Sequence, residues 1–298
     1  MTLPNFLVIG AHRSGTTSLY SYFRQHPQIY MPAWIKEARF FCYDPDDPVH
    51  RAKSRAIFPV RTLEEYTALF DEVRGQVAIG EASPEYLRNS KAGARIHQLI
   101  PHARLIASLR NPVDRAYSEY MMKVRSGNEL RSFEQVCREE REWLERNLYF
   151  NNLQRYTALF SRDQLKVILF EEMRDTPLAV VQDCFRFLGV DDRFVPDVER
   201  RHNTGGLPKN RMVYRLFSNS TLRRAARKWL PERVRTVVSR VKERGMVSLP
   251  LAEETRQRLM KYFADDIGRL EELLGMDLSI WRNDAKGARE DRQHGDGV

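Results

Sequence analysis

Residues 6–20 read FLVIGAHRSGTTSLY, and their reading decides the fold. FLVIG is a short apolar run closed by glycine, which predicts a buried strand. TTSLYSYFRQHP then sets Leu19, Tyr20 and Phe23 at helical spacing and stops before Pro27, which predicts a helix. Strand, glycine loop and helix in that order aim backbone N–H groups at an anion. Gly10 and Gly15 take the two glycine positions of the phosphate-loop pattern G-x-x-x-x-G-K-[ST], and Thr17 takes its hydroxyl position. Thr16, however, stands where that pattern requires lysine, and a positive charge sits inside the loop at Arg13. Taken alone, such a loop is equally a tight strand-to-helix turn.

Further apolar runs occur at VAIGEAS (77–83), ARLIASLRNP (103–112) and QLKVILFEEM (164–173). Helical patterns lie between them at 84–100 and 115–127. Strands alternating with helices predict an α/β fold, a P-loop-like three-layer sandwich with a central parallel sheet flanked by helices. Ligands of such sheets sit beyond the carboxyl ends of the strands. One domain is expected over 1–282, with a basic helical segment at about 212–248 and a well-patterned helix after it. The polar tail 283–298 is expected to be disordered.

Charge is concentrated rather than spread. The net charge is +9, yet Lys209 to Arg244 alone holds twelve Lys/Arg against two Glu, which leaves the rest of the chain near neutral. A nucleic-acid role for the whole protein is therefore not expected. The local basic stretch suits an acidic acceptor, an anionic membrane surface or simply a solvated helix face. Cys42, Cys137 and Cys184 are odd in number and widely spaced, which argues against a disulfide framework or a cysteine metal site. With no apolar run near 18 residues, no membrane span is expected, and a cytoplasmic location follows. Oligomeric state is not readable.

A second motif bears on the loop. SLRNPVDRAYSEY (108–120) places Arg110 after a strand and Ser118 eight residues on, inside a helix. Together they suit a second phosphate, although each alone reads as an ordinary surface residue. GAHRSGTTSLYSYFRQHPQIYMP, KEARFF, GEASPEYL and LRNPVDRAYSEY, in this order, resemble sulfotransferases that use 3′-phosphoadenosine 5′-phosphosulfate (PAPS), in particular the heparan-sulfate and tyrosylprotein branches and their bacterial relatives. LEELLGMDLSIW (270–281) resembles the family's closing helix and tryptophan.

The resemblance implies sulfuryl transfer from PAPS to a hydroxyl acceptor, with adenosine 3′,5′-bisphosphate (PAP) as product and no metal required. It assigns Arg13, Ser14, Gly15, Thr16, Thr17 and Ser18 to the 5′-phosphosulfate and Arg110 with Ser118 to the 3′-phosphate. Lys209 and Arg211, in GGLPKNR (205–211), resemble a segment that closes over the nucleotide. Glu37 occupies the place of the general base, with Glu81 as runner-up or else an orienting partner of a basic residue. Burial against Phe40 and Phe41 would raise the Glu37 pKa, while Arg13 or Lys36 would oppose this. Ala82 replaces a lysine that heparan-type relatives use, and Lys36 is the candidate substitute. His12 is expected to be structural. The acceptor, a carbohydrate, lipid or other small hydroxyl compound, is open and suits an anionic molecule. A P-loop kinase-like phosphotransferase is the alternative, and a basic binding module is a third reading.

Overall fold

The computed structural model describes residues 2–199, 207–208, 246–247 and 251–282. Lys209, Arg211, the expected basic helices and the tail lie outside the described residues. The described chain groups into two compact units, one of 1–111, 148–200 and 264–298, the other of 112–147 and 201–263.

The first unit holds the sheet. Strands β1 (Phe6–Gly10), β2 (Ile29–Tyr30), β3 (Ala78–Ala82), β4 (Arg104–Leu109) and β5 (Leu165–Leu169) are all parallel, in the order β2-β3-β1-β4-β5. The chain thus builds one side of β1, then crosses to the other. All five residues of β1 are buried, as befits a central parallel strand covered on both faces. Phe6 and Val8 face a cluster with Leu19 and Phe23 of α1 (Thr16–Phe23), and with Val181 and Phe185 of a later helix. Short helices follow β2: α2 (Pro48–Ala52), and α3 (Leu63–Ala68), which opens on a Thr62–Glu65 capping box. The pattern at 84–100 yields a helix only at α4 (Ala92–Leu99).

In the second unit, α5 (Pro112–Ser126), α6 (Phe133–Glu139) and α7 (Arg141–Glu145) follow one another. Asp114 pairs with Arg256 at 2.5 Å, and the Lys123 ammonium lies 4.0 Å from the centre of the Trp143 ring. Strands β6 (Leu207–Pro208) and β7 (Met246–Val247) pair antiparallel. The first unit resumes with α8 (Phe150–Thr157), α9 (Phe170–Asp175) and α10 (Pro177–Leu188), the last starting on proline and ending on Gly189 in the left-handed region. Helix α11 (Glu253–Leu274) begins in the second unit and ends in the first. Among the described residues, no helix is long and apolar enough to cross a membrane.

Gly80, paired with Phe6 across β3 and β1, makes room for that ring, because a Cβ there would come within 2.4 Å of it. Phe6 is fully buried and meets Phe23 edge-on, so it has little freedom to yield. Gly80→Ala is expected to destabilise the protein by about 1–3 kcal/mol, as overpacked cores do. Urea unfolding measures this, and an unchanged midpoint would show that the ring moves aside at no cost.

Candidate active site

Topology brings four strand ends to one edge. The loop Ala11–Gly15 follows β1, Glu81 and Ser83 mark the end of β3, Arg110 follows β4, and Phe170 follows β5. Within the loop, Arg13 has φ 64° and Gly15 φ 80°. This left-handed alternation turns successive amides to one side, as in anion nests. A non-glycine residue held there costs about 1–3 kcal/mol, a strain that clusters at functional sites. Ser14 is fully buried, and its carbonyl accepts from the Ser108 hydroxyl at 2.5 Å; Ala11 N–H donates to Ser108 O at 2.8 Å. Strand β4 therefore fixes the loop from beneath. Ser14 N–H donates to Ala11 O and Ser18 N–H to Gly15 O, so these two loop amides are already engaged.

Arg110 meets the same loop. Its Nη1 donates to Arg13 O at 3.2 Å, and its guanidinium carbon lies 4.5 Å from the centre of the Phe170 ring. A Cβ at Gly15 would fall 2.0 Å from Met173 Cε and 3.0 Å from Phe170 Cδ2, so α9 forms a floor under both loop and guanidinium. The Arg110 turn is held from behind. Asn111 N–H donates to Glu171 Oε1 at 2.9 Å, Trp281 Nε1–H donates to Glu171 Oε2 at 3.0 Å, and Asn111 Nδ2 donates to Trp281 O. Trp281 thus earns its place near the end of the chain. Ser118 lies on α5, in the second unit.

The KEARFF turn supplies the other side. Lys36 Nζ donates to Thr17 Oγ1 at 3.0 Å and lies 3.5 Å from Glu37 Oε1. Burial pushes the Lys36 ammonium below its usual pKa, and Glu37 only partly opposes this. Arg39 folds back two residues, donating to Glu37 Oε2 from Nη2 at 2.6 Å and from Nε at 3.2 Å. Burial alone would raise the Glu37 carboxyl, but the Arg39 hydrogen bond and the Lys36 and Arg39 charges outweigh it. The net shift is downward: of the two opposed effects set out from the sequence, the charges prevail over burial, with Arg39 beside Lys36 supplying them.

Glu81 is fully enclosed. Ser83 Oγ donates to its Oε2 at 2.7 Å and Tyr66 Oη lies 3.4 Å from its Oε1, while burial lifts its pKa to about 7. Glu81 shows no exposed surface, and its hydrogen bonds tie it to Ser83 and Tyr66. His12 is more than a filler: its Nε2 lies 2.9 Å from Glu85 Oε2, and Arg88 grips the same carboxylate. Among the described residues no group of His, Cys, Asp or Glu is arranged to hold a metal ion.

Sequence reasoning passed over Arg39, Ser83, Ser108 and Glu171. Arg39 and Ser83 stand inside quoted motifs, two residues from the carboxylates they serve. Glu171 is signalled only by being acidic two residues past the end of a strand.

The chain matches the model of a sulfotransferase family over residues 4–194. It is similar to a solved sulfotransferase from Alicyclobacillus acidocaldarius, at 33% identity and a TM-score of 0.71, over 95% of this chain and 100% of that one. It also resembles the human bifunctional heparan sulfate N-deacetylase/N-sulfotransferase 3, at 29% identity over 63% of this chain and 22% of that protein. A membrane-associated sulfotransferase, kil1, from Dictyostelium discoideum is 36% identical over 42% of this chain and 24% of its own length. The chain therefore spans about a fifth to a quarter of the length of these curated relatives.

Proposed function

The chain belongs to the sulfotransferase family, and on that premise we propose that it moves a sulfuryl group from PAPS to a hydroxyl acceptor. The observation that carries the reading is the bond from Lys36 to Thr17, which joins a cation and the adjacent Glu37 carboxylate to the anion loop. The donor supplies an activated sulfuryl group whose leaving oxygen belongs to a phosphate. The loop amides, Arg13 and Lys36 stabilise charge on that group and on the leaving oxygen. Glu37 takes the acceptor's proton as the new O–S bond forms and the old S–O bond breaks. Arg110, set against the loop, holds the 3′-phosphate, so one nucleotide is gripped at both anionic ends. A kinase-like reaction is not favoured, because Thr16 replaces the lysine that reaches β- and γ-phosphates.

For the acceptor, we propose a carbohydrate, the class named in the heparan-type relative, with a hydroxyl as the attacking group where that relative's name specifies nitrogen. We propose a cytoplasmic setting, which the three free cysteines suit.

Calorimetry with PAP tests the nucleotide site. Wild type is expected to bind at micromolar concentration, and Arg110→Ala to bind about 10- to 100-fold more weakly, the value of a charge-assisted hydrogen bond. Wild type that ignored PAP but bound ATP with magnesium would overturn the proposal. A panel of glucosamine, a uronic-acid disaccharide, a phenol and a long-chain alcohol, scored by transfer of labelled sulfate, then identifies the acceptor class.

A further inference from the structure

Glu81 is a carboxyl group enclosed in the sheet, and such a group is costly to bury unless it is hydrogen-bonded. Its bonds show what it holds. Ser83 Oγ donates to Glu81 Oε2 at 2.7 Å and accepts the backbone N–H of Arg39 at 3.0 Å. An amide can only donate, so Arg39 N–H donates to the serine oxygen; the serine hydroxyl donates in turn to the Glu81 carboxyl group, and each link polarises the next. Arg39 is held at φ 52°, a backbone state that non-glycine residues avoid. From that state its guanidinium reaches back to Glu37. A second arm runs beside the first. Tyr66, whose hydroxyl lies 3.4 Å from Glu81, stacks its ring on Phe40 at 4.4 Å and an interplanar angle of 13°. The arms end on Arg39 and Phe40, adjacent residues of the KEARFF turn.

We propose that Ser83, oriented by Glu81, is a positioning residue for sulfuryl transfer: it pins the turn at Arg39 and so fixes where the Glu37 carboxylate points. The proposal rests on the reading of Glu37 as the base. Neither Ser83 nor Glu81 touches the reacting atoms, so their effect passes through the turn that carries Glu37.

A double-mutant cycle with the best acceptor of the panel tests this. Ser83→Ala is expected to lower kcat about 5- to 10-fold, the value of one oriented hydrogen bond, with PAP affinity unchanged. In a Glu37→Gln background the same change is expected to cost nothing further, because residues acting as one unit are not additive. Losses that multiply in the double variant would overturn the proposal while leaving Glu37 as base, and so would a Ser83→Ala enzyme with wild-type kcat. A Glu37→Gln enzyme with wild-type kcat would remove the reading beneath it and the proposal together. Should Ser83→Ala fail to fold, Ser83→Cys, close in size but a weaker acceptor, runs the same cycle under the same criteria.

Discussion

Glu37→Gln is expected to cut kcat about 10²-fold or more, the usual contribution of a general base, while the affinity for PAP stays close to wild type. Glutamine matches glutamate in size and its carbonyl can still accept from Arg39, so the turn keeps its shape. What it loses is the ability to take a proton. The pH dependence separates this from a structural effect. Arg39 and Lys36 overcome the upward push of burial and hold the carboxyl below its ordinary value, so Glu37 is ionised throughout the neutral range. A base must be ionised to act, so activity falls only as pH drops through this lowered pKa. The acid limb of kcat is therefore expected below the ordinary glutamate range, and it should vanish in the glutamine variant. A base held this low has little proton affinity of its own. It works because the acceptor oxygen becomes acidic as its bond to sulfur forms. An acid limb near pH 7 that persisted in Glu37→Gln would point to another group and sink the assignment.

The strands were legible because parallel strands covered on both faces read as unbroken apolar runs, and FLVIG is buried at every position. The two-residue β2 carries too little pattern to register. The stretch 84–91 shows helical spacing yet forms none, because its backbone is used elsewhere: Leu87 N–H donates to Ile9 O at 2.8 Å, at the end of β1. Tertiary bonding to the central strand overrides local propensity there. In the site, glycines and lone charges within motifs pointed to the loop, to Arg110 and to Lys36. The state of Glu37 was not legible, since it depends on Arg39 adopting a left-handed backbone that no residue pattern announces. Ser83 escaped notice for a related reason. A small polar residue after a strand has many uses, and only its two bonds reveal this one.

Lys36→Ala is expected to reduce kcat about 10²- to 10³-fold, as loss of one preorganised charge-stabilising donor does. The resemblance set out above leaves one transition-state cation to be supplied, since this chain has Ala82 at the position concerned. Lys36 is placed for it, 3.0 Å from the Thr17 hydroxyl and beside the base. Its burial makes the charge more effective, because a cation lifted out of water interacts more strongly with charge developing nearby. The same burial lowers its pKa, with Glu37 pulling only part of the way back. The protonated form is the useful one, so activity is lost as pH rises through that lowered value. The alkaline limb of kcat is thus expected earlier than the 10.5 of an ordinary lysine, and absent from Lys36→Ala. Lys36→Arg should recover little, because a planar fork does not fit the place of a compact ammonium held between a threonine hydroxyl and a carboxylate. Binding of PAP provides the control. A variant that binds it normally yet turns over slowly has lost stabilisation of the transition state rather than of the ground state. If kcat instead stayed near wild type, the stabilising charge would have to lie in the loop itself, at Arg13, and the bond from Lys36 to Thr17 would be only a brace for the turn.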